Sequence, residues 1–182
     1  MIDDLRWKLR WMIPRALFWG SGFLRCRLIR RRPETAYLER YWLGALFGWT
    51  FYLHRFVAPD REEEPHDHPW PSAVSLVLCG WYREGRWASA DALRIGDGAS
   101  RVLRAGRVNR LRKHEIHQIL DARAETWTLF VHRKRLGEWG FYRREAGGVF
   151  YHQPHDTATT SAWQQSAPIG REMWRSVFGG WE

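Results

Sequence analysis

The chain has 182 residues, of which 45% are apolar and 15% aromatic, so it can bury a sizeable core and is not intrinsically disordered. Its formal net charge is +9, but nine basic and three acidic side chains place +6 of that charge in residues 1–36. The remainder is only mildly basic, which argues against a nucleic-acid partner.

Two cysteines are too few for a disulfide framework, and no apolar run reaches the ~18 residues that a membrane span needs. Pro14 and Arg15 interrupt the only apolar stretch near the start, which does not resemble a secretory signal. We therefore expect a cytoplasmic protein without a transmembrane span.

Residues 1–36 are predicted to form a basic amphipathic helical extension. Apolar side chains recur at the three-four spacing of one helix face, at Ile2, Leu5, Leu9, Met12 and Ala16. Pro14 is expected to kink or end this helix, and a second amphipathic piece covers residues 23–29. We expect the apolar stripe to dock on the rest of the protein with the arginines in water. The alternative is peripheral contact with an anionic membrane, with tryptophans at the headgroup level: Trp7, Trp11 and Trp19.

From residue 37 onwards, short apolar runs are separated by turns. Strands are predicted at residues 37–46, 49–58, 73–79, 81–87, 92–95, 101–103, 107–111, 116–120 and 126–133. Their spacing of roughly 8–12 residues, with Gly or Asp in the turns, is typical of an all-β sandwich or small barrel. We therefore assign residues 37–145 to a barrel and residues 146–182, where the periodicity is lost, to an irregular C-terminal arm.

Three histidines form the most informative pattern. His66 and His68 are separated by one residue, so on an extended chain both imidazoles project to the same face and can reach one ion. A third ligand must come from another strand. His117, on a predicted strand some fifty residues later, is well placed to supply it.

The segment from His66 to residue 121 resembles the two sequence motifs of the cupin superfamily. In the first motif, His66 and His68 match the paired histidines and Gly80 the closing glycine, whereas Ala73 occupies the position of the usual glutamate. In the second motif, His117 matches the histidine. Gly106 also matches the opening glycine of the second motif. The remaining positions differ: Arg112 and His114 replace the proline and glycine of the second motif, and Asp60 replaces the opening glycine of the first.

This resemblance implies a double-stranded β-helix, in which two antiparallel sheets roll into a small barrel with a metal at its mouth. With Ala73 in the glutamate position, the expected site resembles the three-histidine version of thiol dioxygenases, with His66, His68 and His117 as ligands. Imidazole nitrogens bind one divalent transition metal, and we favour Fe(II) over Zn, Ni, Cu or Mn.

Three neutral ligands leave a divalent ion its full charge, which favours a small anionic substrate. Four arginines precede His117, namely Arg104, Arg107, Arg110 and Arg112. Most of them are expected on a solvated strand face, and Arg110 is the candidate substrate ligand among them. Tyr82 and Trp70 are candidates for an aromatic substrate-binding wall or for core packing. His54 is a further candidate substrate-binding residue, expected either near the metal, as a hydrogen-bond donor or fourth ligand, or as a half-buried structural histidine. Glu84 could act as a base, but we expect it in an exposed turn.

Three functions remain open from the sequence. The first is a mononuclear non-haem iron oxygenase or dioxygenase, and the second is a metal-dependent isomerase or lyase without redox chemistry. The third is a barrel that binds a small ligand and catalyses nothing. Proteins that resemble this one often pair face to face, so a homodimer is a further expectation.

Overall fold

Within the residues that this computed structural model describes (2–32, 35–58, 64–145, 148–152 and 162–178), there are eleven strands and four helices. The helices are α1 (Ile2–Ser21), α2 (Ala90–Ile95), α3 (Trp163–Ser166) and α4 (Gly170–Phe178). The first strands are β1 (Cys26–Arg32), β2 (Thr35–Leu46), β3 (Trp49–Phe56), β4 (Ser72–Cys79) and β5 (Trp81–Trp87). The others are β6 (Ala99–Arg104), β7 (Val108–Arg112), β8 (Ile116–Ala122), β9 (Thr126–Arg133), β10 (Phe141–Glu145) and β11 (Gly148–His152).

Two main antiparallel sheets contain most of these strands. The larger sheet has the order β1-β2-β3-β9-β4-β7, and the smaller has the order β6-β5-β8; β10 and β11 form a separate hairpin. After β4 the chain passes repeatedly between the two main sheets, because β5, β6 and β8 lie in the smaller sheet and β7 and β9 in the larger, as in a double-stranded β-helix. The predicted all-β fold of cupin type is therefore confirmed.

Alternate residues of the facing strands fill the space between the sheets. One buried cluster joins the two sheets and contains Leu38, Phe56, Val77, Tyr82, Leu103 and Ala122. A second cluster lies on the inner face of the larger sheet and contains Tyr52, Ala73, Leu111 and Phe130. The first cluster closes the interior at one end, and the polar site residues described below lie beyond it.

The two motif glycines, Gly80 and Gly106, have backbone conformations that favour glycine. Gly80 has φ of 79°, and a Cβ at this position would overlap Thr126. Gly106 has φ of 82°, although no neighbour crowds it. Both values lie in the left-handed region that L side chains rarely adopt, so both β-turns favour glycine.

The outer face of the larger sheet is covered by the end of α1 and by α4. Their shared cluster contains Phe18, Cys26, Tyr41, Leu53, Trp127, Met173 and Trp174. Phe18 stacks on Trp174 with 4.0 Å between ring centroids, and the Trp174 indole donates a hydrogen bond of 3.1 Å to the Tyr41 hydroxyl. The terminal segments thus pack together on one side of the barrel.

The expectation that residues 1–36 are largely helical is wrong for Cys26–Arg32, which forms β1. This strand pairs antiparallel with β2, with Cys26 opposite Tyr41, and ladder hydrogen bonds outweigh the local helical spacing. The helix α1 also continues through Pro14, where we expected a kink or an end. No helix among the described residues has the length and apolar character needed to cross a membrane.

The C-terminal arm is not irregular throughout, because β11, α3 and α4 all lie within residues 146–182. Of the long surface arm that we expect at residues 152–166, residues 153–161 lie outside the described residues, and Trp163–Ser166 forms α3 instead. The strand expected at 92–95 is also wrong, since those residues belong to α2. The Ser89 side chain accepts a hydrogen bond from the Ala92 amide at 3.1 Å, and Gly96 ends the helix with φ of 78°.

Candidate metal centre

Backbone pairing brings the two histidine motifs together. The His66 amide donates to the His117 carbonyl at 2.9 Å, and the His117 amide donates to the His66 carbonyl at the same distance. The two residues therefore lie directly opposite each other, although 51 positions apart in the sequence. His68 follows two residues later on the same face, and the ring centroids of the three imidazoles are 4.6, 4.8 and 5.0 Å apart.

The three histidines present nitrogen atoms to a common point. One ring nitrogen from each lies within 4.8 Å of the others. The Nε2 atoms of His68 and His117 are only 2.7 Å apart. Two lone pairs repel at that distance, so a proton or a cation must be shared between these atoms. The chemistry of this donor set fits a divalent transition metal. Metal–nitrogen bonds of about 2.1 Å would draw the three nitrogens to about 3 Å from one another, closer than their present limit of 4.8 Å.

Hydrogen bonds on the far side of two rings orient them for metal binding. His117 Nδ1 lies 2.9 Å from Glu84 Oε1, and His66 Nδ1 lies 3.2 Å from the Glu64 carbonyl oxygen. A carbonyl or an ionised carboxylate only accepts, so each Nδ1 carries the proton. Each Nε2 therefore keeps its lone pair for a metal, as is usual for metal-binding histidines.

Glu84 is held in place by four donors. Its Oε1 accepts from His117 and, at 2.8 Å, from the Asn109 amide; its Oε2 accepts from Arg86 at 2.9 Å and from Arg101 at 3.1 Å. Burial alone would raise the pKa of Glu84, but the hydrogen bond from His117, together with the hydrogen bond and charge of Arg86, lowers it to about 2. The carboxylate is therefore ionised and fixed behind His117.

Aromatic rings line the mouth beside the histidines. Trp70 stacks on His68 with centroids 4.6 Å apart and on His132 with centroids 4.4 Å apart. Burial, followed by the nearby charges of His117 and His66, lowers the pKa of His68 well below its usual value. His68 therefore stays neutral at physiological pH, as metal binding requires.

Arg40 supplies a positive charge to the interior. It lies opposite His54 across β2 and β3, and its Nε donates a hydrogen bond of 3.0 Å to His54 Nε2. Burial is the largest cause that lowers the pKa of three rings, namely His54, His68 and His132. The charge of Arg40 is a further cause for all three, and for His68 it ranks after the neighbouring histidines. The guanidinium of Arg40 is thus close enough to all three to disfavour their protonation.

Comparisons with known proteins give matches only among solved structures. No protein-family model and no curated protein matches the chain. KdgF from Halomonas sp. is similar at 16% identity over 60% of this chain and 88% of its own, with a TM-score of 0.42. A cupin superfamily protein from Desulfitobacterium hafniense DCB-2 has 14% identity, coverages of 58% and 83%, and a TM-score of 0.39. An oxalate oxidase has 19% identity, coverages of 61% and 57%, and a TM-score of 0.45.

These TM-scores are below 0.5, so the assignment depends on the chain's own sheets and on the three motif histidines that converge. The fold resembles that of the cupin superfamily, as predicted. The three-histidine site indicates a divalent metal, as in cupin enzymes.

The cupin interior contains some of the other predicted site residues and not others. Tyr82 is buried, and its hydroxyl accepts from Asn109 at 2.9 Å, so it supports the Glu84 network. His54 is buried and stacks on Phe130 with centroids 5.0 Å apart. Trp70 lies at the mouth beside His68. All four arginines before His117 are exposed: Arg104, Arg107, Arg110 and Arg112.

Arg110 is therefore not the interior cation that we expected. Its neighbours Asn109 and Leu111 are buried, so alternation along β7 turns the Arg110 side chain to the outside. Only its carbonyl oxygen faces the network, where it accepts from Arg86 at 2.7 Å. Arg40 takes the interior position instead.

The expectation of an exposed Glu84 is also wrong, since this side chain is fully buried. A signal for this was present in the sequence. Tyr82, Glu84 and Arg86 alternate along one predicted strand, so a buried Tyr82 places Glu84 on the same inner face. Similarly, Arg40 alternates with Leu38 and Trp42, which are apolar residues of β2.

Proposed function

We propose that this cupin is a cytoplasmic, mononuclear non-haem iron oxygenase that acts on a small anionic substrate. The observation that carries the proposal is the convergence of His66, His68 and His117, with His117 oriented by Glu84. Fe(II) bound there would supply the redox chemistry by which O₂ oxidises the substrate.

The ligand set favours an anionic substrate because all three ligands are neutral. The buried Glu84 is ionised, but its charge is balanced by Arg86 and Arg101. A divalent ion would therefore keep most of its charge towards the mouth. Arg40 adds a guanidinium on the same inner face, and this group binds a carboxylate more strongly where water is excluded.

The aromatic wall provides that exclusion of water. Trp70, Phe130 and His132 contact one another at the mouth, and Tyr52 stacks on both His132 and Trp163. A small substrate bound beside this wall and the histidines would be in a low-dielectric environment. Electrostatic attraction to Arg40 and to the ion is larger there than in water.

The two buried carboxylates near the histidines, Glu84 and Asp67, already accept hydrogen bonds on both of their oxygens. This favours oxidation of the substrate over proton abstraction by a carboxylate. Both oxygens of Glu84 accept from the donors described above. Asp67 Oδ1 accepts from the Gly140 amide at 2.8 Å, and Asp67 Oδ2 accepts from the Tyr142 hydroxyl at 3.2 Å. Neither side chain is positioned to act as a base for an isomerase or lyase reaction.

The test is metal analysis followed by oxygen uptake. Protein purified without added metal is analysed by mass spectrometry for transition metals, loaded anaerobically with Fe(II), and assayed with small carboxylates and thiol carboxylates in an oxygen electrode. We expect one ion per chain, lost in His117→Ala and retained in the control His132→Gln, and substrate-dependent O₂ uptake. Stoichiometric metal without uptake would favour the isomerase or lyase alternative, and no metal after loading would favour the binding protein.

A further inference from the structure

Helix α1 presents two different faces along its C-terminal half. Leu17, Phe18 and Ser21 turn towards the barrel, where Phe18 packs against Trp174 and Arg55. Other apolar side chains on and just after α1 are strongly exposed, with exposed fractions of 62% for Met12, 41% for Ile13, 58% for Trp19 and 63% for Phe23. We call these four residues the outer apolar patch.

Two residues of the stripe that we expected to dock are on the outer side of α1. Met12 and Ala16 belong to that stripe, and both are exposed. The expectation that this stripe docks on the barrel is therefore wrong at these two positions, because the adjacent positions Leu17 and Phe18 make the contact instead. An apolar stripe that faces away from its own domain needs another apolar environment.

The charges around the outer apolar patch are basic. Arg15 is exposed on α1, between Ile13 and Trp19 in the sequence. Arg25 and Arg30 are exposed on the chain that follows the helix. The guanidinium of Arg171 lies 3.8 Å above the Phe23 ring. With +6 of the formal charge in residues 1–36, this surface combines apolar side chains with a positive field.

We propose that the outer apolar patch binds the surface of an anionic lipid bilayer. In this arrangement α1 lies in the plane of the interface, with Met12, Trp19 and Phe23 in the acyl–headgroup boundary and the arginines at the lipid phosphates. This goes beyond the proposed function and is independent of it, because none of the patch residues belongs to the metal centre.

The charge distinguishes a bilayer from the other possible occupants. A second copy joined by two-fold symmetry would place the same patch, with its +6 segment, against itself, which is unfavourable. A nucleic acid would neutralise the arginines but would leave Met12, Ile13 and Phe23 in water. An anionic bilayer satisfies both the charge and the apolar side chains.

The experiment is sedimentation of the full-length protein with vesicles of phosphatidylcholine, alone or with phosphatidylglycerol. We expect binding only to the anionic vesicles, falling as salt rises from 50 to 500 mM. The double substitution Met12→Ser/Trp19→Ser should weaken binding at least tenfold, and Arg15→Gln by about fivefold. The control Ile95→Ser/Leu136→Ser removes two equally exposed apolar side chains outside the patch and should bind like the wild type.

Three results would overturn the proposal. The first is absence of binding to anionic vesicles at 50 mM salt, and the second is equal binding by the Met12→Ser/Trp19→Ser variant. The third is a dimer, or a complex with a DNA or RNA oligonucleotide, that the same double substitution dissociates. Metal content and thermal unfolding of each variant, measured in parallel, show whether a loss of binding reflects a loss of the fold.

Discussion

The larger sheet has a packed layer on each of its two faces. Adjacent residues of one strand point to opposite faces, so they contribute to different layers. The interior between the sheets receives Arg40 and His54, whereas the layer under α1 and α4 receives their neighbours Glu39 and Arg55. Each layer contains a fully buried carboxylate, Glu84 in the interior and Glu39 in the outer layer. Comparison of these two acids shows how the hydrogen-bond partners of a buried glutamate determine the direction of its pKa shift.

Glu84 and Glu39 differ in their hydrogen-bond partners. Glu84 accepts from His117, Asn109, Arg86 and Arg101, and its pKa falls to about 2 despite burial. Burial raises the pKa of Glu39, and the opposing effects of the Arg55 charge and the Tyr41 hydroxyl, 2.5 Å away, do not outweigh it. The interior thus maintains an ionised group beside a candidate ligand, while the outer layer contains a carboxyl whose pKa is raised by burial.

The largest effect is expected from removing Glu84. Glu84→Gln cannot hold the proton on His117 Nδ1 as an anion does, so metal affinity should fall about 10–100-fold. Glu84→Ala also leaves two arginines without their buried partner and should lower the free energy of unfolding by about 3–5 kcal/mol. Metal titration and urea unfolding measure the two effects. The matched substitution Glu39→Gln should leave metal affinity unchanged, and an equal loss there would contradict the assigned role of Glu84.

The next effect concerns the two arginines. Arg40→Gln should weaken binding of oxalate, used as an anionic probe, by about tenfold or more in the metal-loaded protein, since a charge-assisted hydrogen bond in the interior is lost. Arg55→Gln should leave oxalate affinity intact but lower the free energy of unfolding, because Arg55 bonds Glu39 at 3.0 Å in the outer layer. Calorimetry with oxalate and urea unfolding separate these outcomes. Weaker oxalate binding in both variants would indicate a change of the whole fold.

The pH dependence of unfolding should have opposite signs for the two acids. The folded-state pKa of Glu84 is below the unfolded value of about 4.5, so its contribution of about 3 kcal/mol is present above that pH and is lost as pH falls towards 2. The folded-state pKa of Glu39 is raised, so its contribution is present in acid and is lost as pH rises through that pKa. Urea unfolding of the metal-free wild type, Glu84→Gln and Glu39→Gln between pH 3 and 8 gives both difference curves. Parallel curves would show that the two carboxyls are not distinguished in this way.

The sequence predicted the histidines well because their spacing alone carries the geometry. A one-residue separation on extended chain places His66 and His68 together, and the motif spacing identifies His117. Glu84 was harder, because its partner His117 is 33 residues away and a strand pairing must be known first. Alternation with Tyr82 was the available signal, and it indicated burial but not the partner.

Strand pairing also explains the errors at the N-terminus. Cys26–Arg32 is rich in arginine and has no clear two-residue alternation, so its strand depends on β2 beside it. By contrast, α2 could have been predicted, since Ser89 and Gly96 are typical helix-capping residues at the correct separation. Local capping signals are readable from the sequence, whereas pairing with a distant strand is not.

The smallest effect distinguishes the two thiols. Cys26 is buried in the outer layer, where burial and the nearby Glu39 raise the pKa of its thiol strongly; Cys79 is half-buried and its pKa is raised chiefly by burial. Because the thiolate is the reactive form, iodoacetamide at pH 8 should alkylate both slowly in the folded protein, and Cys26 at least tenfold more slowly than Cys79. Peptide mapping by mass spectrometry follows each site, and in urea the two rates should become equal. Both thiols contact the outer cluster, so faster labelling of Cys26 in the folded protein would show that α1 and α4 leave this layer open.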